Sequence, residues 1–167
     1  MTMDRYLKEL QRTSTTLAAA GTPMQRLHDF AEVLHACVGF KLLTVLVIDR
    51  VRDESRRVYS SRPDIYPVSG AKPIRPDSPF FKKVIERGEP SISRTLDECA
   101  AAFPDHEVFA ALGCGSVANI PIRWNGVTLG SFNLVAEEGK YSDRDLPILN
   151  TIGALAIPVI LQALDRA

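Results

Sequence analysis

The sequence predicts an α+β domain: a central antiparallel sheet with helices at both ends of the chain. Three observations predict it. Amphipathic segments with capping signals lie at each end, over 22–38 and from Ser142 onward. Between them, at Leu42, the apolar period switches abruptly to a short β-branched run. Asn125-Gly126, the strongest two-residue hairpin signal because both residues accept positive φ, sits between two further apolar runs.

Residues 2–19 space Met3, Tyr6, Leu7, Leu10 and Leu17 at helical intervals. The run Thr13-Ser14-Thr15-Thr16 weakens this helix, since β-branched and hydroxyl residues favour helices less. Gly21 breaks the chain. Thr22-Pro23-Met24-Gln25 then starts a second helix, with Thr as N-cap, Pro in the first helical position and Gln three residues after the cap. Its apolar face carries Leu27, Phe30, Ala31, Leu34, Cys37 and Val38, and Gly39 ends it. Residues 42–49 are too short for a helix and apolar on both faces, hence a central strand. Arg50–Arg57, with Asp53-Glu54-Ser55 in the middle, reads as a hairpin turn, and 57–61 as the returning strand. Arg50, Arg52, Arg56 and Arg57 read as a solvated hairpin tip with its own Asp and Glu.

Residues 62–79 hold five of the eleven prolines. They exclude a helix or an interior strand and leave a surface loop long enough to suspect function. Asp77-Ser78-Pro79 opens a short helix with Phe80, Phe81, Val84 and Ile85 inward, closed by Gly88 and Pro90. A strand at 91–94 follows, then one or two helices over 96–112, interrupted at Phe103-Pro104. In the hairpin of 116–136, pairing Trp124 with Val127 puts Ile122 opposite Leu129, Ala118 opposite Asn133 and Asn119 opposite Phe132. Each face then carries one asparagine among apolar residues, so both faces are covered. Ser142 caps the last helix, with Asp143 and Asp145 in its first turn. Its apolar face runs through Leu146, Leu149, Ile152, Ala156, Val159, Ile160 and Ala163, and Pro158 kinks it.

The 167 residues and 18.4 kDa fit one domain. A hydrophobic content of 46% excludes disordered and fibrous classes. Twenty Lys and Arg balance twenty Asp and Glu, so no bulk field favours nucleic acid or an anionic membrane. No apolar region follows the N-terminal charges as in a signal peptide, and the apolar runs fall short of a membrane span. Three irregularly spaced cysteines argue against a disulfide framework and for a reducing compartment. The expectation is a cytoplasmic domain with neither nucleic acid nor membrane as partner.

The segment Leu112-Gly-Cys-Gly-Ser-Val-Ala-Asn-Ile-Pro-Ile122 resembles a GAF domain, a family that commonly carries Leu-Gly, a Ser three residues later and an apolar-Pro-apolar strand end. Asn125-Gly126 and Leu129-Gly130-Ser-Phe-Asn-Leu134 match the glycines of its next signature. Tyr141-Ser-Asp-Arg-Asp-Leu146 matches the aromatic, hydroxyl and acidic residues that open its last helix. The resemblance covers about 22–163. It implies a GAF/PAS-like central antiparallel sheet with N- and C-terminal helices on one face and a loop- and helix-covered pocket on the other. The GAF domain would span 22–167, and residues 1–21 would form an N-terminal helix that offers a dimer contact. At the positions of the phosphodiesterase cyclic-nucleotide signature stand Asn133, Leu134, Tyr141, Asp145 and Leu146; its Lys and Glu are gone, which leaves cyclic-nucleotide binding unsupported. Cys99 lies in the general region, the helical stretch before the hairpin, where bilin-carrying relatives attach their chromophore, but the adjoining pattern is missing.

Free methionine sulfoxide reductases share the fold and use clustered cysteines, which brings Cys37, Cys99 and Cys114 into question. A thiolate nucleophile needs a lowered pKa and a resolving partner. Cys37 sits on an apolar helix face, where a small buried hydrophobe belongs. Cys114, between two glycines, is open to exposure, and Cys99 can approach it. The surroundings of that enzyme family's cysteines are not matched. His28 and His35 lie about 10.5 Å apart along one helix axis, too far to share a metal ion unaided. No Cys-x-x-Cys, no His-x-x-x-His, no Gly-rich phosphate loop and no nucleophile elbow occurs. Neither a metal site nor a catalytic residue is therefore expected.

The pocket expectation rests on other residues. Asn119 and Asn133 are amides in apolar central strands, where burial demands a hydrogen bond. Tyr59, Tyr66, Phe80 and Phe103 stand on elements that border the family's pocket. Arg62 and Arg75 flank the proline-rich loop and can hold an acidic ligand group. No cofactor is specified, only an unknown small-molecule ligand. The resemblance implies a non-catalytic sensory or regulatory module, dimeric through its end helices, that signals to a separate effector protein. Two alternatives stand beside it: a thiol-dependent reductase, and a dimerisation or protein-interaction module whose pocket is filled by side chains.

Overall fold

The computed structural model describes residues 3–68, 71–104 and 106–165. Helix α1 spans Met3–Ala18 and α2 Pro23–Cys37. The start of α2 is set locally: Thr22 and Gln25 exchange side-chain hydrogen bonds with each other's backbone N–H, and Pro23 opens the first turn. Gly39, with φ +71°, ends the helix through backbone bonds to Leu34 and His35.

Strands follow as β1 Leu42–Asp49, β2 Glu54–Ser60, β3 Ala71–Pro73, β4 Ser91–Ser93, β5 Ser116–Trp124 and β6 Val127–Ala136. They form one six-stranded antiparallel sheet in the order β3-β2-β1-β6-β5-β4. β1 is central, as its two apolar faces predict. The proline-bearing β3 stands at an edge, where a missing N–H costs no ladder bond.

The β1–β2 turn is shorter than the charge pattern suggests. It comprises Arg50–Asp53, closed by Asp53 at φ +53°, and Glu54 and Ser55 already pair with Asp49 and Ile48. Asp49 holds it: Oδ1 accepts from the Val51 and Arg52 amides at 3.0 and 3.1 Å, and Oδ2 from Arg52 Nη1 at 2.6 Å. These bonds push the Asp49 carboxyl below its usual range, the Arg52 side chain contributing most.

Two bulges set which side chains face which way. Val45 pairs with Tyr59 but Leu46 with Arg57, so Val58 is an extra residue in β2. Ile122 pairs with Gly130 while Arg123 pairs with Thr128, so Leu129 is an extra residue in β6. The second bulge corrects the simple hairpin register by one. Asn119 lies opposite Asn133 and Ala118 opposite Leu134, and both asparagines share one face of the sheet.

The other face carries the main core. Leu43, Val45, Val47, Ile120, Ile122, Phe132 and Leu134 pack against α2 and the last two helices, α5 Leu146–Leu155 and α6 Ile157–Asp165. Phe30 of α2 meets Phe132 edge-on, ring centroids 5.4 Å apart. α1 lies outside, against α2 and α5. The final helical stretch breaks at Ala156, just before Pro158, with a bend of 49°. No single described helix is long and apolar enough to cross a membrane.

Candidate functional site

The face that holds the asparagines is roofed by shorter elements. A π-helix over Phe81–Glu86, α3 Leu96–Ala102, α4 His106–Ala111 and the loop segments 62–68 and 74–80 cover it. The π-helix and α3 each start from a local signal. Ser78 Oγ accepts from the Phe81 amide, and Thr95 Oγ1 from the Glu98 amide. Val84 and Ile85 seal the roof onto Ile48. Cys99 and Phe109 seal it onto Leu42, Val117 and Val135.

Beneath the roof a cavity of two adjoining lobes, about 220 and 250 Å³, opens to the surface. The larger is floored by Leu42, Thr44, Leu46, Asn119 and Asn133 and walled by Tyr66, Phe80, Phe103 and Phe109. The smaller lies over Leu46, Ile48 and Ser55, bounded by Ile74, Phe81 and Ile85. Both share Arg57, Lys72, Arg75 and Ser78. In the aromatic wall Phe103 meets Phe109 in a T-shaped contact and Tyr66 meets it at a tilt, ring centroids 6.0 and 6.3 Å apart.

Six of the eight expected pocket residues line this cavity: Tyr66, Arg75, Phe80, Phe103, Asn119 and Asn133. Asn133 is tied down, donating from Nδ2 to Thr44 Oγ1 at 3.2 Å and accepting from Ser131 Oγ at 3.1 Å. Asn119 is only 3% exposed, and no side-chain hydrogen bond holds it among the described residues. Tyr59 lies elsewhere. The β2 bulge turns it to the helical face, where it packs in the main core with its hydroxyl 3.4 Å from His28 Nδ1. Arg62 also stands outside the cavity, paired fork to fork with Asp64 at 3.0 and 2.8 Å.

Sequence reasoning missed Arg57, Lys72 and Phe109. The charge pattern reads Arg57 as one of the solvated hairpin-tip arginines with their own Asp and Glu, although strict alternation places it on the same face as Tyr59. The bulge separates them: Val58 and Tyr59 pack on the helical side, and Arg57 faces the cavity with Leu46. Its guanidinium lies 3.9 Å over the Tyr66 ring, and Nη1 donates to the Pro67 carbonyl at 2.6 Å.

The thiols are all pushed away from reactivity. Cys37 is half-buried rather than buried, and desolvation with the Glu9 carboxylate beside it raises its pKa to about 12. Burial pushes Cys99 up to about 11. Burial also raises Cys114, against the opposing pull of the Lys41 ammonium. Cys99 and Cys114 belong to one buried cluster, and Cys114 is buried rather than exposed. Among the described residues no group of three His, Cys, Asp or Glu is arranged to hold a metal ion.

Sheet, helical back layer and roofed cavity define a small α+β domain with a ligand-sized hollow between sheet and roof. A model of the GAF domain family matches residues 24–160, and the chain belongs to that family. Three solved structures share its fold. The GAF domain from an Acinetobacter phosphoenolpyruvate-protein phosphotransferase superposes with a TM-score of 0.79 at 14% identity, covering 100% of this chain and 98% of that one. The corresponding domain from Coxiella burnetii gives 0.78 at 18%, covering 99% and 98%. The free methionine-R-sulfoxide reductase of Neisseria meningitidis, in complex with its substrate, gives 0.69 at 16%, covering 97% and 92%. No curated protein matches by sequence.

Proposed function

We propose that this GAF domain is a non-catalytic sensory module that binds a small molecule in the roofed cavity and passes its occupancy to a separate effector protein. The cavity carries this reading: the sheet face beneath the roof is not filled by side chains, and buried Asn119 presents an untied amide to it. The filled-pocket alternative predicts no such space. The reductase alternative needs an activated thiolate, whereas all three thiols are pushed upward. Dimerisation through the end helices belongs to the same proposal. It is supported by α1 on the outer surface with Leu7 56% exposed, and by exposed Leu161 on α6.

Native and denaturing mass spectra of the purified protein test it. A mass excess present only in the native spectrum, at twice the chain mass, is the expected result. A monomer without excess, unchanged after incubation with a cell metabolite extract, would refute it.

A further inference from the structure

The wall shared by the two lobes carries three cations, Arg57, Lys72 and Arg75. Among the described residues no aspartate or glutamate lines either lobe, and none of the three cations joins an ion pair. Other arginines of the chain are paired: Arg26 with Asp29, Arg52 with Asp49, Arg62 with Asp64. Cations gathered around a hollow with no counter-charge repel one another, and an anion placed between them relieves that repulsion.

Arg57 adds a second, independent sign. Its Nε–H is buried and has no hydrogen-bond acceptor, although Nη1 and the ring contact fix the rest of the group. A buried donor without an acceptor is costly, and a ligand oxygen removes that cost. The remaining wall is aromatic, and each lobe is smaller than the roughly 300–1,000 Å³ typical of drug-sized ligands.

We infer that the cavity selects a small amphipathic anion: a carboxylate or phosphate monoester on a single ring-sized apolar body. Arg57, Lys72 and Arg75 hold the anionic oxygens, and the body lies in the larger lobe against Phe80, Phe103 and Phe109. This rests on the reading of the domain as a small-molecule binder and gives that binder its ligand chemistry.

Titration calorimetry with phenylacetate, phenyl phosphate and the uncharged phenylacetamide tests it, using the wild-type protein, R57Q and a K72Q/R75Q double variant. Lys72 and Arg75 are exposed, so the double variant keeps the test open if R57Q does not fold. At least one anion is expected to bind at least about tenfold more tightly than the amide, and to lose about tenfold in either variant. Which of the two binds distinguishes carboxylate from phosphate. Equal binding of phenylacetamide, or no loss in the variants, overturns the inference while the binding reading stands. If no probe binds, the compound released from the native protein decides: an anion supports the inference, a neutral molecule overturns it alone, and no mass excess overturns both.

Discussion

Gly130 is where the sheet is least able to accept another side chain. A Cβ built there falls 2.1 Å from the Leu46 carbonyl oxygen and 3.1 Å from both Leu46 C and Val47 Cα, all backbone of the adjacent central strand. Restoring an ordinary contact requires β1 and β6 to separate by more than about 1 Å in the middle of a six-stranded sheet, where interiors are close-packed. Overpacking costs about 1–3 kcal/mol, and backbone displacement places G130A at the upper end. For a domain of this size, about 3 kcal/mol lowers the melting temperature by roughly 6–12 °C. G126A serves as control. It meets nothing within 4 Å but sits at φ +78°, so it carries conformational strain alone, about 1–2 kcal/mol. Thermal unfolding followed by far-UV circular dichroism reads both. A G130A melting temperature within about 1 °C of wild type, or above that of G126A, would refute the view that close approach at Gly130 fixes this register.

Three further outcomes follow from the same structure. The Asp49 carboxyl is held below its unfolded value of about 3.9, so its contribution is present above that pH and is lost as pH falls through the folded pKa. D49N keeps an acceptor for the turn amides but no charge; its melting-temperature deficit should therefore shrink as pH drops from about 5 toward 2, and a constant deficit would contradict the assignment. With its pKa near 12, Cys37 is thiolate to roughly one part in 10⁵ at pH 7. Iodoacetamide labelling of all three cysteines should be slow until denaturant is added, and one fast thiol in the native protein would revive the reductase reading. Tyr141 donates from its buried hydroxyl to the Gly39 carbonyl at 2.8 Å. Y141F should cost about 1–2 kcal/mol in urea unfolding with an unchanged m-value.

The elements themselves were legible from the residues. The Thr22 cap, the Pro158 break, the apolar run of β1 and the Asn125-Gly126 turn are decided by neighbours within a few positions, and the helices and strands stand where those signals put them. The three signatures running from Leu112 to Leu146 also identified the GAF family. Most of the cavity's aromatic wall was visible for the same reason, because Tyr66, Phe80 and Phe103 follow from which elements form the roof.

The facing of the site residues was not. Side chains alternate across a strand with a period of two, so one extra residue reverses every side chain beyond it. Val58 and Leu129 are such residues, and nothing in their local sequence marks them. Their positions depend on contacts made by other strands: Gly130 against the backbone of β1, and Val58 with Tyr59 against the helical layer. Through those contacts Arg57 replaces Tyr59 at the cavity and Asn119 joins Asn133 on its floor. The sequence determined which elements form and in what order; which side chains meet in the hollow was decided only when the sheet closed against its helices.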